Sequence, residues 1–140
     1  MFTSRECAGG FLLRDGQVLL GFRSPDRTAY PGVWDAIGGH ANAGESLAEA
    51  LVREVREEIQ VTPTEFTYLA ALEEPRPHIN GDVVYHLFLV TGWDGEDPAM
   101  CGDEHSSISW FPIRDAVRLP LAHPGYRGLL EQLDRKAHKP

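Results

Sequence analysis

Between Ser46 and Pro63 the chain has room for little but a helix, and one whose polar face is electrostatically awkward. Ser46, followed three residues later by Glu49, is a capping-box start, and Pro63 halts propagation. Ala48, Leu51, Val52, Val55 and Ile59 recur at helical spacing and form an apolar stripe that asks for a core. Directly beside it stand Glu54, Glu57 and Glu58, at i, i+3 and i+4, within an arc of about 100°. The helical neighbours of Glu54 are Ala50, Leu51, Glu57 and Glu58, and those of Glu58 are Glu54, Val55, Val61 and Thr62, so only Glu57 has a local cation, Arg53 at i−4. Like charges at these spacings each cost roughly a few tenths of a kcal/mol, and carboxylates in a last turn face the negative end of the helix dipole. Local stability does not choose this arrangement. A divalent cation would turn it into a binding site, because hard ions such as Mg²⁺ take oxygen ligands, often one or two carboxylates plus substrate phosphates.

An isolated Glu-x-x-Glu-Glu is more often a solvated face rich in Glu and Arg, so the surrounding residues decide. Reading outward, Gly39 is followed six positions later by Glu45, then by Arg53-Glu54-Val55, then by Glu57-Glu58-Ile59, with Val61 at the end. This resembles the Nudix box, the signature of hydrolases acting on nucleoside diphosphates linked to another moiety. Every element of the pattern is matched except its last glycine, which is Gln60 here. A chance match in a chain of this length has a probability on the order of 10⁻⁶ at average residue usage. Gln60 falls where glycine would serve as a left-handed cap, so the departure concerns the local turn and not the carboxylates.

The rest of the chain is consistent with one domain over residues 1–140. Residues 11–14 and 17–23 form a hairpin closed by an Asp15-Gly16 turn. Residues 24–31 make a loop, and residues 33–37 a short strand leading into Gly38-Gly39. Strands are expected over 66–72, 82–91 and 108–113, a turn-rich stretch over 93–105, a helical turn over 114–118, and a terminal amphipathic helix over 126–137 carrying Leu129, Leu130 and Leu133. Hairpins with one internal and one terminal helix give an α/β protein, a mixed sheet between helices. The resemblance implies the same architecture, a Nudix-type α/β/α sandwich.

Carried over residue by residue, the resemblance makes Gly39 (through its carbonyl), Glu54, Glu57 and Glu58 the ligands of Mg²⁺ or Mn²⁺, with Glu54 and Glu57 also catalytic. An additional acid, often supplied outside the box, is assigned to Glu104, because Asp103-Glu104-His105 before residues 106–110 resembles the Glu-bearing segment of MutT-like members. Arg23 is the candidate phosphate contact, since a guanidinium grips phosphate oxygens bidentately. Trp34 and Tyr30 are candidates for stacking a base, although core packing is the commoner fate of such aromatics. His40 adjoins the box and is a candidate substrate contact; His78 and His86 are read as incidental. Arg53 is expected to orient carboxylates, lying between Glu49 and Glu57, and Glu45 to be a structural acid near the helix N-terminus.

Composition limits the partners. Against 21 acidic residues stand 13 Lys plus Arg, a net charge of −8, which disfavours binding to nucleic-acid polymers. A small nucleotide bridged by a cation remains compatible. The N-terminal residues show no basic leader with a long apolar run, and residues 83–90, interrupted by His86, are too short to span a bilayer, so a soluble cytoplasmic protein without membrane association is expected. Cys7 and Cys101 lie far apart and are read as free thiols. The activity implied is metal-dependent hydrolysis of a diphosphate linkage, foremost MutT-like cleavage of (deoxy)nucleoside triphosphates, including oxidised ones. Hydrolysis of ADP-ribose, dinucleotide polyphosphates, coenzyme A or sugar nucleotides stays open. So do an isopentenyl diphosphate isomerase, faintly resembled by residues 31–35 and 38–40, a noncatalytic module, and a homodimer, a common state in the family.

Overall fold

The computed structural model describes residues 5–101 and 105–137. Seven strands make one mixed sheet: β1 (Arg5–Arg14), β2 (Gln17–Arg23), β3 (Trp34–Asp35), β4 (Ile37–His40), β5 (Thr62–Glu73), β6 (Val83–Asp94) and β7 (His105–Pro112). Four helices accompany it: α1 (Leu47–Ile59), α2 (Pro77–Asn80), α3 (Ile113–Ala116) and α4 (Tyr126–Ala137). β1 is central. It pairs in parallel with β6 along one side and antiparallel with β2 and β4 along the other, while β7 extends the sheet beyond β2 and β5 beyond β6.

Period-2 alternation puts a core on each face. Ala8, Leu12 and Leu19 face Leu51, Val55 and Ile59 of α1, whereas Phe11, Val18 and Leu20 face Ile113, Tyr126, Leu130 and Leu133 of the C-terminal helices. The expected α/β/α sandwich is therefore the observed one. The Asp15-Gly16 turn has positive φ at both residues, 53° and 77°, the twist a two-residue hairpin needs.

Ser46 and Glu49 close the expected capping box on α1. At the other end Gln60 takes the left-handed conformation, φ 65°, and its N–H bonds the Arg56 carbonyl, so the cap geometry survives without the glycine. The last carbonyls of α1 find partners in residues 99–101: Ala99 N–H donates to Ile59 and Cys101 N–H to Glu58.

Several boundaries differ from the sequence reading. The single strand expected over 33–37 breaks at Ala36, because β3 pairs with β2 while β4 crosses to β1. β5 begins at Thr62 and carries Pro63, which lacks an N–H but sits on an edge strand where none is required. β6 continues to Asp94, opposite Thr62, so the turn-rich stretch starts later than expected, and β7 begins at His105, within it. The helical turn lies over Ile113–Ala116, and α2 was not expected. Among the described residues no helix is long and apolar enough to cross a membrane.

Candidate functional site

The carboxylates of α1 are graded by burial. Glu54 and Glu58 are 8% and 4% exposed, beside the apolar stripe, while Glu57 faces solvent. Arg53 folds over this face. Its Nε and Nη2 bind both oxygens of Glu45 at 2.7 and 3.0 Å, Nη1 donates to Glu54 Oε1 at 2.9 Å and Glu57 Oε2 at 3.2 Å, and Nη2 also reaches the His40 carbonyl at 2.9 Å. Two expectations are corrected here. Glu54 does have a local cation, since the long arginine stem bends back to its immediate neighbour. Arg53 clamps Glu45, Glu54 and Glu57, while the Glu49 carboxylate is engaged by the Ser46 N–H of the capping box. One guanidinium still faces three carboxylates.

Gly39 explains itself through Glu54. A Cβ at that position would lie 2.5 Å from Glu54 Oε2 and 2.8 Å from Oε1, so the bare glycine backbone is the surface on which the carboxylate rests. Gly38 is tighter, for a Cβ there would sit 2.0 Å from the Ala8 carbonyl oxygen of β1.

Glu45 is the structural acid expected of it. The bond from Arg53, aided by the Asn42 N–H, holds its carboxyl far below the ordinary 4.5, at about 2. Because the folded value is the lower one, the stability this pair supplies is complete above about pH 4.5 and is lost as pH falls towards 2. Glu45→Gln is therefore expected to flatten the acid limb of the stability profile within that window, measured as urea midpoints at stepped pH. An unchanged acid limb would show that the pair adds nothing.

Glu58 meets β7. Its Oε2 lies 3.6 Å from His105 Nδ1, and burial pushes the imidazole below its ordinary 6.5, so the ring is largely neutral at pH 7. Glu104 falls outside the described residues. The residues flanking that segment both touch α1: Cys101 through the Glu57 and Glu58 carbonyls, His105 through the Glu58 side chain.

Beyond Gly39 the wall opens into a cavity of about 280 Å³. His40 lines it, with Nδ1 3.2 Å from the Cys7 thiol, and so does Tyr30. Arg23 borders it too, but its guanidinium is engaged: Nε donates to Tyr30 O at 3.0 Å, Nη2 to Ala29 O at 2.8 Å, and Nη1 to Asp35 Oδ2 at 3.3 Å. Trp34 is not among the lining residues; its ring packs against Phe22 and Phe111 at centroid distances of 5.0 and 4.8 Å. Trp34, partly buried, is thus packed against the core, while Tyr30, the other aromatic named for stacking, is on the cavity wall.

The sequence reading missed a buried acid on this wall. Glu74 accepts from Tyr30 OH at 2.5 Å, Tyr85 OH at 2.6 Å and Arg76 N–H at 2.9 Å. Burial alone would raise its pKa, but these donors outweigh it and the carboxyl titrates below its ordinary value. Opposite, Tyr126 OH donates to Asp35 Oδ1 at 2.7 Å. No sequence signal marks either acid, since their partners come from distant segments. Among the described residues no three His, Cys, Asp or Glu side chains already enclose a metal position.

The profile of the NUDIX domain matches residues 3–133. CTP pyrophosphohydrolase of Escherichia coli (strain K12) is 30% identical over 118 residues, 84% of this chain and 82% of that one. The NAD-capped RNA hydrolase NudC of Pseudomonas putida (strain GB-1) is 32% identical over 86% of this chain, which spans only 41% of that relative. Among solved structures, a MutT NUDIX hydrolase from Burkholderia pseudomallei superimposes with a TM-score of 0.81 at 28% identity, over 94% of this chain and 98% of that one. With the box, the sandwich and these relatives in agreement over nearly its whole length, the chain belongs to the Nudix family and is a hydrolase of nucleoside diphosphate derivatives.

Proposed function

We propose that the protein is a Mg²⁺- or Mn²⁺-dependent, MutT-like pyrophosphohydrolase of (deoxy)nucleoside triphosphates. The observation that carries this reading is Gly39, which adjoins the Glu54 carboxylate and also lines the cavity. Gly38 and Gly39 themselves put no side chain between the cavity and the Glu54 carboxylate, which leaves their backbone open to a polyphosphate.

The donor set suits a hard cation, with Glu54, Glu57, Glu58 and the Gly39 carbonyl as its holders. An incomplete cage fits as well, because Mg²⁺ retains waters and is commonly held by one or two carboxylates together with substrate phosphates. A cation bound there supplies charge neutralisation to the polyphosphate and acidifies the attacking water. The chain does the positioning. Arg53 grips one oxygen of Glu54 and one of Glu57, leaving the other oxygen of each outside its clamp. Glu54 or Glu104 takes the proton of the attacking water. His40 meets the substrate from the cavity wall, Arg23 does so only with the N–H groups that Tyr30, Ala29 and Asp35 leave uncommitted, and Tyr30 and Tyr85, fixed by Glu74, shape the pocket for the nucleoside.

Triphosphates are favoured because the relative matched over most of its own length is named for CTP, whereas NudC is matched over less than half. One observation favours the isomerase reading, the Cys7 thiol on the cavity wall. A panel of nucleoside triphosphates, ADP-ribose, NAD, a dinucleotide polyphosphate, coenzyme A and isopentenyl diphosphate, incubated with Mg²⁺ or Mn²⁺ in ¹⁸O water and read by phosphorus NMR, separates the readings. The expected products are a nucleoside monophosphate and pyrophosphate, one carrying the label. Failure to cleave any triphosphate, or cleavage undiminished by EDTA, would refute the proposal.

A further inference from the structure

We propose that His105 is a positioning residue for Glu58: packed against that carboxylate from β7, the imidazole sets its orientation and thereby the strength with which the α1 acids hold a divalent cation. The inference rests on the metal-dependent reading above and adds a component that the box does not contain.

Three features converge on this contact. His105 and Glu58 are 3% and 4% exposed, so both polar groups have been taken from water, and an imidazole so buried is costly without a polar partner. Neither ring nitrogen of His105 makes a hydrogen bond among the described residues, and Glu58 Oε2 lies 3.6 Å from Nδ1. A buried polar group left in that state asks for a reason. The ring is also seated in a socket made for it. A Cβ on Gly21 would stand 2.6 Å from the imidazole, and the β2–β7 register shifts between Phe22 and Arg23, bringing Arg23 opposite His105.

The distance is longer than a hydrogen bond, and a movement of about 0.7 Å closes it. A carboxylate turning to meet an ion makes movements of that size, and an imidazole has at least one N–H to offer in either protonation state. Each acid of the trio then has its own holder: Arg53 for Glu54 and Glu57, His105 for Glu58. Outer partners of this kind fix the ligand's orientation, and their loss typically weakens metal affinity about 10–100-fold.

The test reads metal binding directly. Mn²⁺ is titrated into the wild type, His105→Phe, His105→Asn and Gly21→Ala, and free ion is followed by its EPR signal. Phe fills the socket without a donor, Asn places an N–H near the position of Nδ1, and alanine at 21 displaces the ring while leaving every acid in place. The expected result is an Mn²⁺ Kd weakened about 10–100-fold in His105→Phe and Gly21→Ala, and within about threefold of wild type in His105→Asn. The Mg²⁺ concentration for half-maximal hydrolysis should rise in parallel while kcat at saturating Mg²⁺ stays nearly constant. If His105→Phe fails to fold by circular dichroism, Gly21→Ala and His105→Asn carry the comparison. Folded variants whose Mn²⁺ Kd stays within twofold of wild type, or an Asn variant as weak as Phe, would overturn the role of His105 alone. A wild type that binds no Mn²⁺ and hydrolyses in EDTA would overturn the metal reading and this inference with it.

Discussion

Glu54→Gln is expected to lower kcat on the order of 10³-fold, the middle of the range for a group that moves a proton in the rate-limiting step, with little change in stability. The stability half follows from geometry. The amide oxygen of Gln still accepts from Arg53 Nη1, the side chain keeps its volume beside Gly39, and one like-charge contact with Glu57 and Glu58 is relieved. The activity half follows from charge, since the amide neither accepts the water's proton nor ligates a cation as a carboxylate does. Raising Mg²⁺ separates the two roles: a pure ligand defect recovers as the ion saturates, and a proton-transfer defect does not. Glu49→Gln is the matched control on the same helix, because its carboxylate caps Ser46 and glutamine performs that task as well. A Glu54→Gln enzyme within threefold of wild type, or a Glu49→Gln enzyme as impaired as Glu54→Gln, would remove Glu54 from the chemistry.

What could be read from the sequence is what is local in it. The capping box, the apolar stripe of α1, the Asp15-Gly16 turn and α4 depend on residues within a turn or two of each other, and each appears as the spacing indicates. The first half of β1 is the counterexample. Cys7, Ala8, Gly9 and Gly10 have weak strand propensity, and this segment is a strand because β6 pairs along one side of it and β4 along the other. The same division runs through the site. The acids of the box are legible because one helix presents them, but what holds and surrounds them is not. His105 reaches Glu58 through the β2–β7 register, Glu74 draws its tyrosines from a loop and from β6, and Trp34 is absorbed by neighbours that only the folded sheet supplies. Arg53 shows that even adjacency misleads. Immediate neighbours on a helix do not ordinarily face each other, and the rule fails here because a flexible stem lets the guanidinium lie back across the turn towards the residue 40–45 loop.

The Gly38-Gly39 pair yields the second large effect, with opposite consequences at adjacent positions. In Gly38→Ala the new methyl would meet Ala8 O at 2.0 Å and Gly9 Cα at 2.5 Å, and neither can withdraw, because β1 is held from behind by its parallel ladder to β6. The β1–β4 pairing must break, and a loss of about 3 kcal/mol or more is expected. That corresponds to a fall in Tm of roughly 10 °C or more for a domain of this size. In Gly39→Ala the nearest obstacle is the end of the Glu54 side chain, which can turn aside. The fold is expected to survive with Tm nearly unchanged, while kcat drops by about 10²-fold, since a displacement near 1 Å of a reacting group has that effect. If the alanine acts through Glu54, the two changes share one mechanism and their effects do not add. The double variant Gly39→Ala/Glu54→Gln should then be no slower than Glu54→Gln alone. A double variant slower by the product of the two single effects would show that Gly39 serves the reaction by a route other than seating that carboxylate.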